Sequence, residues 1–196
     1  MKILVINGSP HKKGNTFLSV ESFLSGFKQV NDEVKIYHLA ELDYTTCIGC
    51  NKCYETGYCI FKDDLAPLHF DYDQADFIIV SSPIYFFTVS AFLKAAIDRT
   101  QAIWASKYIL KNPTIDRTKK RMGVFIGTGG APKSENYPQA ISPVLDMYSK
   151  SINTELLDEI IFYDTDKIKM ENRPNDLMKL KEMGKKIREE VKEELS

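Results

Sequence analysis

The 196-residue sequence has no surplus of either charge: 26 Lys and Arg face 27 Asp and Glu, a formal charge of −1. A near-neutral chain has no general field with which to hold nucleic acid or an anionic membrane, so recognition rests on local chemistry. No apolar run approaches the roughly 20 residues that span a bilayer. The apolar start MKILVING has neither a basic leading region nor a cleavage site, so the chain reads as cytoplasmic. Internal repeats, low-complexity tracts and Pro/Gly/Ser linkers are also absent. One domain over 1–196 is therefore expected, because domains run to roughly 100–200 residues. Cysteine is scarce, four residues in all, yet every one falls between Cys47 and Cys59.

What is present is an alternation of short apolar runs and longer helical patterns. Ile3-Leu4-Val5-Ile6, Phe77-Ile78-Ile79-Val80 and Gly123-Val124-Phe125-Ile126 are continuous, as strands covered on both faces of a parallel sheet should be. Glu33–Tyr37 and the weaker run Glu159–Tyr163 complete five strands. Helical spacing occupies 17–27, 63–72, 90–103, 134–149 and 175–195, the last a Lys/Glu-rich helix whose stretch from Lys181 to Glu194 reads as solvated. Strands alternating with helices predict an open α/β sheet. In such sheets ligands bind beyond the carboxyl ends of the strands, where the strand order reverses, which singles out the loops after strands one, three and four.

The first loop, Gly8-Ser9-Pro10 through Gly14-Asn15-Thr16, offers hydroxyls, an amide and a helix N-terminus, a combination that binds phosphate. Neither G-x-G-x-x-G nor the Walker pattern is present, because Gly14 is followed by Asn15. A monophosphate is favoured over a dinucleotide or a triphosphate. The alternative is that Asn15 or Thr16 only caps the helix. His11, His38 and His69 are scattered, and no Ser/His/Asp or Cys/His set marks an acid–base centre. Lys94, Asp98 and Arg99 read as structural, the first two as an i, i+4 surface pair.

These elements, taken together, resemble the flavodoxin-like NADPH-dependent FMN reductase superfamily, and within it the iron-sulfur flavoproteins. The resemblance is carried by the first loop, by Cys47-Ile48-Gly49-Cys50-Asn51-Lys52-Cys53 with Cys59 and Asp63-Asp64, and by Ala75-Asp76. It continues in Ser82-Pro83-Ile84-Tyr85, Leu93-Lys94, Asp98-Arg99 and Gly127-x-Gly129-Gly130. It implies a five-stranded parallel sheet in the order 2-1-3-4-5 with FMN at its carboxyl edge. Ser9, Lys12, Gly14, Asn15 and Thr16 would surround the phosphate. Pro83, Ile84, Tyr85 and Phe86 would lie along the isoalloxazine, and Thr128, Gly129 and Gly130 would approach its pyrimidine side. The residue chemistry agrees: Ser82-Pro83 favours an extended turn, Tyr85-Phe86-Phe87 supply aromatic surface, and the glycines let backbone approach a flat ring. Aromatics at a strand end also serve as core or subunit interface.

Cys47, Cys50, Cys53 and Cys59 form C-x2-C-x2-C-x5-C within the loop 44–62. With no secretory signal, disulfides are disfavoured, and zinc sites usually come as two separated C-x2-C pairs. The first three cysteines resemble the bacterial ferredoxin run, and the whole spacing resembles the motif with which iron-sulfur flavoproteins hold a [4Fe-4S] cluster. Free or redox-labile thiols, and zinc, stay open as alternatives. Three functions follow: a cluster-bearing electron-transfer flavoprotein, a cluster-free NAD(P)H-dependent FMN or quinone reductase, and a non-enzymatic binding or signalling module on the same fold. The resemblance further implies a ferredoxin-like or NAD(P)H donor, a small-molecule or quinone acceptor and a homodimer or homotetramer.

Overall fold

The computed structural model describes residues 1–133 and 136–195, apart from the side chains of 136–139. Among these residues the strands are β1 (Lys2–Asn7), β2 (Glu33–His38), β3 (Phe77–Tyr85), β4 (Thr88–Val89), β5 (Met122–Gly129) and β6 (Glu155–Phe162). The helices are α1 (Asn15–Phe27), α2 (Cys53–Thr56), α3 (Ala66–Gln74), α4 (Ala91–Arg99), α5 (Gln101–Tyr108), α6 (Asn136–Ser151) and α7 (Pro174–Leu195). Five strands are parallel in the order β2-β1-β3-β5-β6, which is the expected 2-1-3-4-5, and β4 pairs antiparallel with the end of β3. Ser134 and Glu135, the first two residues of the predicted helix 134–149, lie outside the described residues. No described helix is long and apolar enough to cross a membrane.

Strand side chains alternate between faces, so each central strand feeds two cores. Ile3, Val5, Phe77, Ile79, Val124 and Ile126 pack on α1 and α7. Leu4, Ile6, Ile78, Val80 and Phe125 pack on α3 to α6. Burial on both faces explains why these strands read as continuous apolar runs, and β6, on the sheet edge, as a weak one.

The helix α7 is not simply solvated. Leu180, Gly184, Ile187, Arg188 and Val191 are buried along one stripe. A Cβ on Gly184 would stand 2.3 Å from the Phe23 carbonyl oxygen, and one on Gly26 would stand 1.9 Å from that of Lys181. The two helices thus cross backbone against backbone, which only glycine permits. Buried Arg188 closes the contact, donating to Asp32 at 2.9 and 3.2 Å and covering the Phe27 ring.

The structure departs from expectation in several places: β6 begins at Glu155 rather than Glu159, and α3 spans Ala66–Gln74 rather than 63–72. The predicted helix 90–103 breaks at Thr100, whose hydroxyl donates to the Ile97 carbonyl, and α5 then runs on to Tyr108. Ser82-Pro83 lies within β3 and is no turn: Pro83 pairs with Thr128 of β5, while β1 has already ended opposite Ser81. The pairing with β4 begins only at Ile84, so no strand stands opposite Pro83 on that side and the missing proline N–H interrupts no ladder.

Candidate functional site

The carboxyl edge of the sheet is built outward from Asn7. Its buried side chain accepts from Ser9 N–H and Ser81 Oγ at 3.2 and 3.1 Å and meets His38 Nδ1 at 3.1 Å. Burial and the nearby Lys12 charge hold His38 below its ordinary pKa. Gly8 N–H donates to the Ser81 carbonyl at 2.8 Å, its own carbonyl accepts from Ser90 Oγ at 2.6 Å, and a Cβ there would come 2.7 Å from that of Leu93. Ser9 Oγ closes a tight turn by donating to the His11 carbonyl and accepting from His11 N–H.

The helix α1 begins after Gly14 with no side-chain cap, and Leu18 N–H to the Gly14 carbonyl is its first backbone bond. The amides of Asn15, Thr16 and Phe17 precede that bond, and such amides together with the helix dipole suit an anion. Side chains here have other tasks. Asn15 Oδ1 accepts from Met170 N–H at 2.9 Å, and Lys12 pairs with Glu41 at 2.9 Å. Thr16 Oγ1 meets Thr128 Oγ1 at 2.6 Å in a buried contact, which ties the first turn of α1 to the carboxyl end of β5.

Pro83 and Ile84 stand beside Thr128 and Gly129 in the paired ends of β3 and β5. The chain then reverses through Phe86 and Phe87, with Tyr85 opposite Thr88. Their φ values of 49° and 63° are those that a two-residue hairpin connection requires of both central residues, a position normally filled by Asn and Gly. Bulky residues there are strained, and such strain collects at functional sites. Phe86 is fully exposed.

A segment beyond β6, unmarked in the sequence, straps this edge. Asp164, Thr165 and Asp166 N–H donate to the carbonyls of Ala131, Gly129 and Gly130, and Met170 reaches Asn15. A Cβ on Gly130 would lie 2.2 Å from Asp166 Oδ2, so the glycine admits the strap as well as any ligand.

The cysteine loop lies near the other end of α4. Gly49, Asn51 and Gly57 have φ of 67°, 58° and 78°, left-handed turns that fold the loop tightly. All four cysteines are free thiols. Cys47, Cys50, Cys53 and Cys59 line a single pocket with Phe61 and Arg99. Burial, aided by the other three thiols, raises the Cys53 pKa. Among the described residues, no three His, Cys, Asp or Glu close in on one point that could hold a single ion. The thiols surround the pocket instead.

Of the three residues read as structural, Lys94 and Asp98 form the expected surface pair at 2.7 Å. Arg99 does more. Its side chain is 7 % exposed and makes bonds of 2.6 and 3.0 Å to Asp63, with a further 2.6 Å bond to the Thr45 carbonyl. Asp63 in turn accepts from Thr45 N–H and Leu65 N–H. Burial opposes its ionisation, but Arg99 and these amides outweigh that and hold its carboxyl below the usual range.

A doubly wound sheet with these loops at its carboxyl edge is of the flavodoxin-like class. The chain superposes on an NAD(P)H:quinone oxidoreductase from Methanothermobacter marburgensis with a TM-score of 0.70, over 95% of this chain and 96% of that one, at 14% identity, a likeness of fold. Residues 1–152 match the model of the NADPH-dependent FMN reductases, and the chain belongs to that family. It is 40% identical over 103 residues to an iron-sulfur flavoprotein of Methanocaldococcus jannaschii, covering 53% of each chain. It is 36% identical over 112 residues to one of Archaeoglobus fulgidus, covering 57% of this chain and 55% of that one. The chain thus spans about half the length of these curated relatives.

Proposed function

We propose that this protein is an FMN-dependent oxidoreductase whose four thiolates hold a [4Fe-4S] cluster that exchanges electrons with the flavin. The observation that carries the cluster is the set of four unpaired thiols around one pocket. A single tetrahedral ion, with metal–sulfur bonds of about 2.3 Å, draws its thiolates close together. A cubane takes one thiolate on each of its four irons, and this single loop supplies four. The family membership and the uncapped start of α1 support FMN.

When bound, FMN supplies hydride and electron transfer and the cluster supplies single-electron transfer. The protein's own work is to bind and orient. Ser9 and the amides of Asn15, Thr16 and Phe17 would hold the phosphate. Pro83, Ile84, Tyr85 and Phe86 would bound one side of the ring, and Thr128, Gly129 and Gly130 the pyrimidine side. The Thr16–Thr128 contact, between the first turn of α1 and the end of β5, would set the spacing between phosphate and ring. A ferredoxin-like protein or NAD(P)H would be the donor and a quinone or other small molecule the acceptor, in a homodimer or homotetramer.

A second reading, a cluster-free NAD(P)H-dependent reductase, is favoured by the name of the family itself. Anaerobic absorption spectra separate the two. The proposal expects broad absorbance beneath the flavin bands that bleaches with dithionite. A purely yellow protein reduced fully by NADPH supports the second reading, and a protein that takes up no FMN overturns both.

A further inference from the structure

Asp98 and Arg99 are sequence neighbours with opposite fates: one faces water, while the other carries its charge under the cysteine loop. Arg99 spans the loop's two ends, holding the Thr45 carbonyl before the first cysteine and Asp63 after the last. Its guanidinium covers the Phe61 ring at 5.2 Å. Cys59 stands beside it in the wall of the same pocket. Cys59 and Arg99 together line both the thiol pocket and an adjoining cavity of about 70 Å³ beneath the loop.

Two features set this arginine apart from an ordinary ion pair. Its Nε is buried without a partner, a state shared by Arg117, Arg121 and Arg188, but only Arg99 among them borders the cysteines. Its charge is balanced by a single carboxylate, Asp63, which also accepts from the Thr45 and Leu65 amides, so losing Arg99 would leave that carboxylate without its counter-charge beside the cysteine loop. A buried guanidinium with spare donors next to a thiol calls for an electron-rich acceptor.

We propose that Arg99 is the positioning residue of the cysteine site: one guanidinium pins both ends of the loop and sets its positive charge in the wall of the thiol pocket beside Cys59. The loop-pinning part stands on geometry alone, and the electrostatic part rests on the cluster reading above. A thiolate-bound cluster gains a negative charge on reduction, so a fixed cation beside it favours the reduced form and raises its potential. Lysine at this position would keep the charge but lose the planar fork that reaches Thr45 and Asp63 together. Methionine would keep much of the volume and lose both.

The test compares the full-length protein with Arg99→Met and Arg99→Lys, with Asp98→Asn as a surface control, using two readouts. Amide hydrogen exchange over 45–62 is expected to quicken about tenfold in both Arg99 variants and to stay unchanged in the control. The midpoint potential of the cluster is expected to move negative in Arg99→Met and to move less in Arg99→Lys. Unchanged exchange in both Arg99 variants overturns the proposal, whether or not metal is present. Faster exchange with an unmoved potential overturns its electrostatic part and leaves a structural clasp. If Arg99→Met loses its iron, Arg99→Lys reads the potential. If the wild-type protein itself carries no iron or sulfide, the cluster reading fails on its own, and the exchange measurement still decides the role of Arg99.

Discussion

Replacing Phe86 with asparagine should make the flavin-free protein more stable and its grip on FMN weaker. Phe86 is fully exposed, so removing its ring sacrifices no burial within this chain. Its φ of 49° costs an ordinary L-residue roughly 1–2 kcal/mol, while asparagine tolerates that conformation well. The expected gain is about 1 kcal/mol, which for a domain of this size raises Tm by about 2–4 °C. If the ring flanks the isoalloxazine, the lost aromatic contact costs about 0.5–1.5 kcal/mol, or roughly a 2- to 13-fold higher Kd. Calorimetry of the apoprotein and quenching of FMN fluorescence measure the two effects separately. A lower Tm in the absence of FMN refutes the strain argument. An unchanged FMN affinity removes Phe86 from the site.

Other perturbations address the frame around the site. Gly184→Ala should cost about 1–3 kcal/mol or more in chemical denaturation, because the new Cβ meets the Phe23 carbonyl at 2.3 Å; an unchanged midpoint would mean that α7 can slide on α1. Buried Tyr72 and Tyr148 share a 2.6 Å hydroxyl contact, so Tyr148→Phe alone should cost about 1–3 kcal/mol, while the double Tyr72→Phe/Tyr148→Phe variant should recover most of that loss. A double variant less stable than the single one would contradict this. Burial opposes ionisation of Asp32, Asp63 and Asp76, but amide bonds together with Arg188, Arg99 and Lys119 respectively hold all three carboxyls below their ordinary values. Their stabilisation is therefore complete above about pH 4 and is lost as pH falls through the lower folded values, so Tm should drop on that acid side and be insensitive to these groups at neutrality.

The sequence made the sheet legible because its central strands are covered on both faces, so that Ile3–Ile6 and Phe77–Val80 carry no polar alternation to confuse them. The edge strand β6 was read short, since Asp158 and Glu159 interrupt its apolar face. The packing of α7 was hidden because its closest contacts are made by Gly26 and Gly184, which add nothing to a hydrophobic pattern. Non-local pairing hid the rest. Lys94 and Asp98 are four residues apart and were visible as a pair, whereas Arg99 finds Asp63 at a separation of 36 residues, and Asn15 finds Met170 at 155. Asp63 and Arg99 both stood in the motifs that carry the family resemblance, but nothing in their spacing joined them.

The central claim is that one chain brings together a flavin and an iron–sulfur cluster, and a simultaneous assay of iron, acid-labile sulfide, zinc and FMN on anaerobically purified protein tests it most directly. The account predicts iron and sulfide in equal amounts near four per chain, FMN near one and negligible zinc. FMN near one with less than about one iron per chain, or stoichiometric zinc in its place, would contradict it.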